Sequence, residues 1–318
     1  MKKEEFLRRF EKKQVEVFRN TSFENPLVSV CIVTYQHANY IRECLNGILM
    51  QQTTFPFEIL LGDDASTDGT RETCIEYAQK HPTKIRLFLH HRENNIAING
   101  SPTGRFNFLY NLYNASGKYI ALCEGDDYWT DPLKLQKQVD FLEDNDEYNI
   151  CFHKVKLYYN QNNIFTKDTI TREVNETTDV IELSKGNFIH TPSIVFRNNY
   201  ELSKWLVKCP TVDWALYMTI VNSNKIKKIN EIMAIYRIND KGIWSGKNAI
   251  QQMLMTVNSF KIVYKNLDMN ILAKKNLYFE IISLEKKIKI NSKGKLKIGI
   301  KIKRFLRRIL KFVFLKHI

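Results

Sequence analysis

The sequence predicts an α/β fold with a mostly parallel central sheet and a helical C-terminal extension. Between residues 26 and 145, short β-branched runs alternate with amphipathic stretches, a pattern typical of strand–helix units that form parallel sheets. Acidic residues directly follow two of the predicted strands, and ligands of such sheets bind beyond the carboxyl ends of the strands. The 318 residues are enough to bury a large core in one or two domains.

Four predicted strands and four predicted helices make up the first part of the chain. Each strand is a short apolar run, and each helix shows the apolar spacing of one buried face. Turns rich in Gly, Asp, Asn or Pro separate them. The predicted strands cover residues 27–34, 57–62, 84–89 and 118–123, and the predicted helices cover residues 39–51, 70–80, 104–114 and 132–144.

The rest of the chain is expected to complete this domain and to add helices at both ends. Residues 1–25 are predicted to form a charged N-terminal helix. Residues 146–245 complete a domain that spans residues 26–245, with predicted strands at 150–159, 193–197 and 232–236 and a helix at 212–222. Residues 250–318 are predicted to form a helical extension, which is basic and amphipathic towards its end.

The positive charge of the chain is concentrated in its last residues. The formal net charge is +14, but thirteen of the 48 Lys and Arg residues lie between Lys286 and Ile318, where no Asp or Glu occurs. The other 35 basic residues nearly balance the 34 acidic ones. Because nucleic-acid-binding domains carry a basic face on their body, no nucleic-acid partner is expected.

The basic segment between residues 299 and 315 has the pattern of a helix that lies on a membrane surface. Its apolar side chains share one helical face, and its basic side chains share the other. The apolar face contains Ile302, Phe305, Leu306, Ile309 and Val313, and the basic face contains Arg304, Arg307, Arg308 and Lys311. Anionic lipid adds about 1 kcal/mol per basic residue near the surface. We therefore expect a membrane contact, with packing on the protein body or a nucleic-acid arm as the alternatives.

The cysteine pattern and the N-terminal sequence indicate a cytoplasmic protein. The six cysteines are scattered without a Cys-x-x-Cys pair, which argues against a disulfide framework and against a zinc site. The N-terminal residues lack the apolar stretch of a signal peptide, and no apolar run reaches the roughly 18 residues that span a bilayer. Together with the basic tail, this predicts a position at the inner face of the cell membrane.

Two acidic turns carry the strongest functional signal. Glu124, Asp126 and Asp127 follow the fourth predicted strand, and Asp63 and Asp64 follow the second. Crowded carboxylates repel one another, and Mg²⁺ is typically held by one or two carboxylates together with phosphate oxygens. A carboxylate in the other turn can accept an N–H from a pyrimidine base. A solvated acidic turn at the end of a strand is the alternative.

Taken together, these motifs resemble those of family 2 glycosyltransferases across residues 26–245. The matching segments are residues 28–35, 63–70, 105–107 and 115–127, in that order. The resemblance implies a GT-A nucleotide-sugar-binding fold and inverting transfer of a sugar from a nucleotide diphosphate donor, with Mn²⁺ or Mg²⁺ as cofactor. Residues 26–145 would bind the donor, and residues 146–245 would face a glycan or lipid-linked acceptor.

The resemblance also implies roles for individual residues. The residues implied to bind the nucleotide-sugar are Thr34, Tyr35, Asp63, Asp64, Arg105, Asp126 and Arg237, and the implied metal ligands are Asp126, Asp127 and Glu124. Asp64 would hold the base, Arg105 would approach the base or the diphosphate, and Arg237 would neutralise the leaving diphosphate. Glu124 stands where the family usually has Asp, which keeps a carboxylate on a longer side chain.

Transfer requires a base that removes the proton of the acceptor hydroxyl, and Asp213 fits the family's position at the start of a helix. The alternative is that Asp213 only caps that helix. His190 and Trp214 are expected to line the acceptor pocket. Two other function classes are a membrane-peripheral binding module and a sugar-phosphate nucleotidylyltransferase. The latter needs a Gly-rich phosphate loop after the first strand, and residues 35–39 contain no Gly.

Overall fold

The computed structural model describes residues 1–18, 25–98, 100–239, 242 and 244–291. In these residues, eleven strands form one sheet. The strands are β1 (Glu16–Phe18), β2 (Val28–Thr34), β3 (Phe57–Asp63), β4 (Ile85–Leu89), β5 (Tyr119–Glu124), β6 (Tyr128–Trp129), β7 (Tyr148–Tyr159), β8 (Ile164–Lys167), β9 (Thr177–Thr178), β10 (Val195–Arg197) and β11 (Lys225–Ile238). The α-helices are α1 (Lys3–Phe10), α2 (Ile41–Leu49), α3 (Thr70–Lys80), α4 (Arg105–Asn114), α5 (Lys134–Asp144), α6 (Val180–Leu183), α7 (Val212–Val221), α8 (Ala249–Asn266) and α9 (Ile271–Asn291). Short 3₁₀ turns occupy Arg92–Asn94, Thr191–Ser193 and Leu206–Lys208.

The sheet joins two groups of parallel strands. Its strand order is β1-β4-β3-β2-β5-β10-β7-β11-β6, with β8 paired to β7 and β9 paired to β11. The strands β4, β3, β2 and β5 are parallel neighbours, and β7 and β11 form a second, longer parallel pair. The antiparallel strand β10 lies between β5 and β7 and connects the two groups. The predicted α/β fold with a mostly parallel sheet is therefore confirmed.

The strand β2 shows how this sheet is buried. Val28, Val30 and Ile32 pack into one apolar cluster, whereas Cys31 packs into a second cluster on the opposite face. Burial along nearly the whole of β2 and β3 is typical of parallel strands covered by helices on both faces. The eight predicted strands and helices of residues 26–145 all occur, with ends that differ by one or two residues.

The N-terminal segment differs from the prediction. Helix α1 ends at Phe10, and β1 follows it and pairs antiparallel with β4. The β-branched Val15 and Val17 alternate with Glu16, which favours a strand. The fully buried ring of Phe6 lies 5.3 Å from the ring of Phe106 in α4. The predicted charged helix over residues 1–25 is therefore wrong for the described residues after Phe10.

The second half contains a strand that is much longer than predicted. The strand β11 begins at Lys225, whereas the sequence indicated a strand only over residues 232–236. Its first residues are mostly lysines, so no apolar run is visible there. Ile226 is nevertheless buried between two more exposed lysines, and β11 pairs with β7 along its whole length. The helix predicted over residues 212–222 is α7.

The C-terminal extension consists of two helices in the described residues. The predicted helical stretch 250–285 is interrupted between α8 and α9. The Asn270 side chain accepts a hydrogen bond from the Leu272 N–H (2.8 Å) and thereby starts α9. The predicted amphipathic helix over residues 299–315 lies outside the described residues. Among the helices that the structure describes, none combines the length and the hydropathy needed to cross a bilayer.

A buried polar contact at the amino end of the central strands holds β5 against β2. The Gly117 N–H donates to the Ser29 hydroxyl (2.8 Å), which donates to the Glu58 carboxylate (2.6 Å). A Cβ atom on Gly117 would lie 2.6 Å from the Ser29 nitrogen and 2.9 Å from the Leu27 carbonyl oxygen. Because both are backbone atoms, any larger residue at position 117 would have to displace a strand.

We expect Gly117→Ala to lower the free energy of unfolding by about 1–3 kcal/mol, since overpacking a rigid core has an effect of this size. Gly104→Ala is the matched control, because a Cβ there meets no atom within 4 Å and the backbone φ is −75°. The control should change the free energy by about 0.5 kcal/mol or less, because Ala is a weaker N-cap than Gly but also lowers the entropy of the unfolded chain. Urea denaturation followed by circular dichroism measures both. Equal effects of the two substitutions would contradict the packing argument.

Candidate active site

The two acidic turns meet at one edge of the sheet. In the parallel register, Thr34 at the end of β2 pairs with Asp63 at the end of β3. On the other side of β2, Val33 pairs with Glu124 at the end of β5. The carboxyl ends of three strands that are distant in sequence are therefore neighbours, as expected for ligand-binding α/β sheets.

The turn between β5 and β6 gathers three carboxylates. One oxygen each from Glu124, Asp126 and Asp127 lies within 4.8 Å of the others. Gly125 makes this turn possible, because a Cβ there would lie 2.5 Å from the Thr34 hydroxyl oxygen. Its N–H donates to the Val33 carbonyl (2.9 Å), which fixes the turn to the end of β2.

The electrostatics of this turn favour a divalent cation. Burial and the charges of Asp126 and Asp213 raise the pKa of Glu124 to about 8. Burial and the charges of Asp126 and Glu124 raise the pKa of Asp127 well above its usual range. The Asp127 Oδ2 atom is buried and has no hydrogen-bond partner in the part of the chain that the structure describes. Three crowded oxygen donors, one of them unpartnered, match the ligands that Mg²⁺ and Mn²⁺ take, so the residues present fit the implied metal.

Arg237 on β11 anchors this turn. Its backbone N–H donates to Asp127 Oδ1 (2.8 Å), and its Nε donates to the Asp126 carbonyl (2.7 Å). The two Nη atoms donate to Asn160 (3.1 Å) and to the Glu43 carboxylate (2.6 Å). Three tyrosine rings surround the guanidinium, with centroid distances of 4.7, 5.4 and 5.1 Å for Tyr40, Tyr128 and Tyr158. The prediction that Arg237 neutralises a leaving diphosphate is therefore corrected, because its donors are engaged by the protein.

A second cluster lies at the end of β3 and β4. The Asp64 carboxylate accepts hydrogen bonds from Asn95 Nδ2 (2.9 Å) and from Arg92. The Arg92 guanidinium stacks over the exposed ring of Tyr35, 4.2 Å from its centroid. Burial raises the pKa of Asp64 to about 6, although Arg92 and Asn95 oppose the shift. A carboxylate, a cation and an exposed ring at one edge form a site suited to a nucleotide base.

Arg92 and Asn95 were not selected from the sequence. Both follow β4, the third parallel strand, at the same edge as the acidic turns. Ligands bind beyond the carboxyl ends of parallel strands. This rule indicates Arg92 and Asn95, although no acidic motif marks them in the sequence. His37 was also missed. Its Nδ1 lies 3.2 Å from the Thr34 hydroxyl, and its Nε2 lies 3.9 Å from Asp126 Oδ2.

Asp63 and Thr34 lie below the surface of this edge. Asp63 is fully buried, and its Oδ2 accepts the Ser66 N–H (3.2 Å) and lies 3.6 Å from Arg71. Thr34 is 2% exposed and contacts His37. Asp63 thus holds its own turn through Oδ2, whereas its Oδ1 atom has no hydrogen-bond partner among the described residues, and its contact with the nucleotide stays a prediction.

Arg105 is also placed differently from the prediction. Its buried guanidinium donates to the carbonyls of Cys209 and Pro210, just before α7. It also donates to the Thr103 hydroxyl (3.2 Å). Arg105 therefore fixes the loop that leads to Asp213, and the structure does not bring it to the base or the diphosphate as predicted.

Asp213 lies in the first turn of α7, near enough to the acidic turn for its charge to act on Glu124. The residue that precedes the helix is Thr211, and it makes no side-chain capping bond. Burial raises the pKa of Asp213, whereas the charge of Arg105 lowers it. The charge of Asp213 in turn raises the pKa of Glu124, which shows that the two carboxylates are close enough to interact. The α7 helix thus brings a carboxylate of the second half towards the acidic turn of the first half.

His190 lies near the acidic turn, whereas Trp214 is part of the core. The His190 Nε2 is 2.9 Å from Asp168 Oδ2, and its ring centroid is 4.5 Å from that of Tyr236. Burial and the charges of Asp127 and the other acids raise the pKa of Tyr236, which places this tyrosine next to them. Trp214 is 1% exposed, and its indole N–H donates to the Leu183 carbonyl (3.1 Å). The prediction of an acceptor contact for Trp214 is corrected, because this ring is part of the core.

Similarity to known sequences identifies the family of the chain and several related proteins. The model of the family "Glycosyl transferase family 2" matches residues 29–201. An uncharacterized protein of Mycobacterium tuberculosis is 38% identical over 219 residues, which is 68% of this chain and 60% of that protein. A Bacillus subtilis protein named for teichuronic acid biosynthesis, TuaG, is 31% identical over 117 residues, or 37% of this chain and 42% of that protein. The chain thus spans less than two thirds of the length of these relatives.

Two solved structures share the fold. Residues 1–349 of S. aureus TarS in complex with UDP-GlcNAc match with a TM-score of 0.59 and 17% identity, over 87% of this chain and 77% of that chain. The mannosyltransferase PcManGT from Pyrobaculum calidifontis, in complex with GDP-Man and Mn²⁺, matches with a TM-score of 0.55 and 15% identity, over 97% of this chain and 86% of that chain. At these identities the likeness concerns the fold, and it confirms the predicted GT-A architecture.

We expect Mn²⁺ to raise the melting temperature, because the cation relieves the repulsion within the acidic turn. At a concentration one hundred times the dissociation constant, binding adds about 2.7 kcal/mol, or roughly 4 °C for a chain of 318 residues. Asp126→Asn should remove most of the shift. Asp140→Asn on α5 is the control, since this carboxylate is exposed and distant from the turn in the sequence. A full shift in Asp126→Asn, measured by scanning fluorimetry, would place the cation elsewhere.

We expect Arg237→Lys to weaken Mn²⁺ binding by about 10–100-fold, the usual effect of removing a residue that orients metal ligands. Lysine keeps the charge but cannot contact Asp126 and Glu43 with one rigid fork. Arg42→Lys is the matched control, because Arg42 also pairs with a glutamate (Glu76, 2.7 Å) and lies 5.8 Å from a tyrosine ring. Isothermal titration gives both dissociation constants. Similar losses in the two variants would argue against a specific anchor.

Proposed function

The chain belongs to glycosyl transferase family 2, and we propose that it transfers a sugar, with inversion and with a divalent metal, from a nucleotide diphosphate donor to a glycan or lipid-linked acceptor. The observation that supports this proposal is the cluster of three carboxylates after β5, on the same sheet edge as the Asp64 cluster and within range of the Asp213 charge. Family membership sets aside the nucleotidylyltransferase alternative.

The donor base would bind at the cluster of Asp64, Arg92 and Tyr35. The Asp64 carboxylate accepts an N–H of the base, and Arg92 and Asn95 supply donors for its carbonyl oxygens. The exposed Tyr35 ring offers an apolar face at the opening of this site. TarS binds UDP-GlcNAc and PcManGT binds GDP-Man, and both bases present an N–H next to a carbonyl. The proposal therefore names a nucleotide diphosphate donor and leaves the choice of base to experiment.

The metal would be held by Asp126, Asp127 and Glu124, with Mn²⁺ or Mg²⁺ as the ion. When bound, such an ion neutralises charge that develops on the departing diphosphate. The support from this chain is the crowding of the three carboxylates and the unpartnered Asp127 oxygen. Arg237 engages Asp127 Oδ1 and the Asp126 carbonyl, and the metal would bind the clustered oxygens that this arginine does not contact.

Asp213 would remove the proton of the acceptor hydroxyl. Inverting displacement at the anomeric carbon needs a base on the face opposite the leaving diphosphate. The raised pKa of Asp213, caused first by burial, strengthens its carboxylate as a base. Arg105 holds the preceding loop through Cys209 and Pro210 and thereby positions α7. His190, oriented by Asp168, would contact the acceptor next to Tyr236.

The proposed place of the reaction is the cytoplasmic surface of the cell membrane. The basic segment at the end of the sequence would bring the enzyme to the cytoplasmic face of the cell membrane, where a lipid-linked acceptor is found. All six cysteines are free and buried, in keeping with a reducing compartment. The name of the Bacillus subtilis relative refers to teichuronic acid biosynthesis, which supports a role in making a surface polysaccharide.

The test is a donor-hydrolysis screen with UDP-, GDP- and dTDP-sugars and Mn²⁺ or Mg²⁺, in which the released nucleoside diphosphate is measured. We expect release from one donor, its loss with EDTA and in Asp126→Ala, and a decrease of about 10²–10⁴-fold in Asp213→Asn. Asp213→Asn should keep the thermal shift with Mn²⁺, because Asp213 is not among the metal ligands. Asp140→Asn is the control with normal turnover.

Absence of both turnover and calorimetric binding of nucleotides and Mn²⁺ would contradict the enzyme and favour the binding module. Normal turnover in Asp213→Asn would contradict only the assignment of the base. The anomeric configuration of the product, read by NMR, tests inversion separately.

A further inference from the structure

Helix α9 has apolar side chains on two opposite faces. One face packs into the core through Ala273, Leu277, Ile281 and Ile288, which are at most 3% exposed. The opposite face points away from the protein body. Its exposed apolar side chains are Ile271 (82%), Leu272 (55%), Phe279 (55%) and Ile290 (57%). Large apolar side chains exposed together on one face often mark an interaction site, and the outer face of α9 has no partner among the described residues.

The spacing of these residues produces a continuous stripe. Leu272 and Phe279 are seven residues apart, and Phe279 and Ile290 are eleven apart, which are close to two and three helical turns. The three side chains therefore lie in a line along α9. A helix of 21 residues is about 30 Å long, so the stripe extends over most of one side of the C-terminal extension.

The same outer face is basic. Lys275 follows Leu272 by three residues, and Lys286 follows Phe279 by seven, so both side chains flank the stripe and are exposed. The two acidic residues of α9 are directed to the body. Glu285 pairs with Lys261 on α8 (2.5 Å), and the charge of Glu280 acts on Arg172.

We infer that the outer face of α9 docks on an anionic lipid bilayer. Phe and Leu beside exposed lysines form the surface of an interfacial helix, in which the apolar groups enter the membrane and the cations meet anionic headgroups. The inference deepens the membrane contact of the proposed function and adds a folded surface to it. It also gives the body a fixed orientation, because α9 is held to α6 by a hydrogen bond from Asn276 to the Ile181 carbonyl (3.2 Å).

Charge complementarity identifies the occupant. Residues 292–318 contain ten Lys and Arg residues and no Asp or Glu. Because like charges repel, charge complementarity favours a negative surface over this segment as the partner of the stripe. Both the segment and the stripe are complementary to a negative surface. Nucleic acid would engage the lysines but would leave Leu272, Phe279 and Ile290 in water, whereas a bilayer accommodates both kinds of side chain.

The experiment measures binding of the full chain to vesicles by co-sedimentation, with no donor or acceptor present. The vesicles contain phosphatidylglycerol and phosphatidylcholine, or phosphatidylcholine alone. The test variant is Leu272→Ser/Phe279→Ser/Ile290→Ser. The matched control is Ile164→Ser/Ile170→Ser/Ile232→Ser, three apolar residues outside α9 with 49%, 50% and 47% exposure.

We expect the unmodified chain to bind the anionic vesicles and not the neutral ones. The α9 variant should bind at least tenfold more weakly, and the control should stay within about twofold. An equal melting temperature and an equal Mn²⁺ shift show that the α9 variant is folded. Lys275→Glu/Lys286→Glu provides a second test that leaves the apolar side chains in place and should also weaken binding.

Three results would overturn the inference. Unchanged vesicle binding by the α9 variants would assign all binding to residues 292–318. Equal losses in the α9 and control variants would show an unspecific apolar effect. Binding to double-stranded RNA that is as tight as binding to anionic vesicles, and insensitive to the three serines, would indicate a polyanion partner. Because none of these measurements involves turnover, failure of the proposed transferase activity is detected separately by the donor screen.

Discussion

The candidate site depends on the parallel register of β3, β2 and β5, because this register brings the ends of three distant segments to one edge. Several carboxylates, among them Asp64 and Asp127, are therefore buried close together. Charges interact strongly there, because little water screens them. The surrounding protein compensates only in part. Arg92 pairs with the Asp64 carboxylate. In the acidic turn, the Arg237 backbone N–H contacts one oxygen of Asp127, and the other oxygen has no partner among the described residues. The remaining repulsion favours the binding of a cation at this turn.

Arg237 shows that the two halves of the domain form one functional unit. It belongs to β11 in the second half, yet it contacts the acidic turn and Glu43 on α2, both in the first half. Arg105 makes the reciprocal connection, since it lies in α4 and holds the loop before α7. Each half therefore supplies the cation that orders the acidic residues of the other. A boundary at residue 145 is useful for describing the sequence, but it does not separate two independent sites.

Sequence patterns predicted the parallel sheet and the acidic edge because both depend on local order along the chain. Alternating apolar runs define strands and helices, and residues that end parallel strands must be neighbours. The contacts of a long cationic side chain, in contrast, depend on residues that are distant in the sequence. Arg105 finds its acceptors about one hundred residues away, and no spacing rule indicates whether a guanidinium faces a ligand or a carbonyl. Trp214 illustrates the same limit, because its neighbour Asp213 faces the cleft while its own ring enters the core.

The charges of the molecule fall into two groups with different tasks. In the proposed function, the acidic turn would attract a cation, whereas the basic residues of α9 and of the segment after it would attract an anionic surface. At physiological salt, charges act over about 8 Å, so the basic segment can engage lipid without neutralising the acidic turn if the two remain farther apart. Helix α9 and the helix that carries Asp213 are connected more directly by packing than by charge. The inner face of α9 and the helix α7, which carries Asp213, pack into the same apolar cluster. Docking of α9 would therefore fix the acceptor side of the cleft relative to the membrane and still leave its acids to the metal.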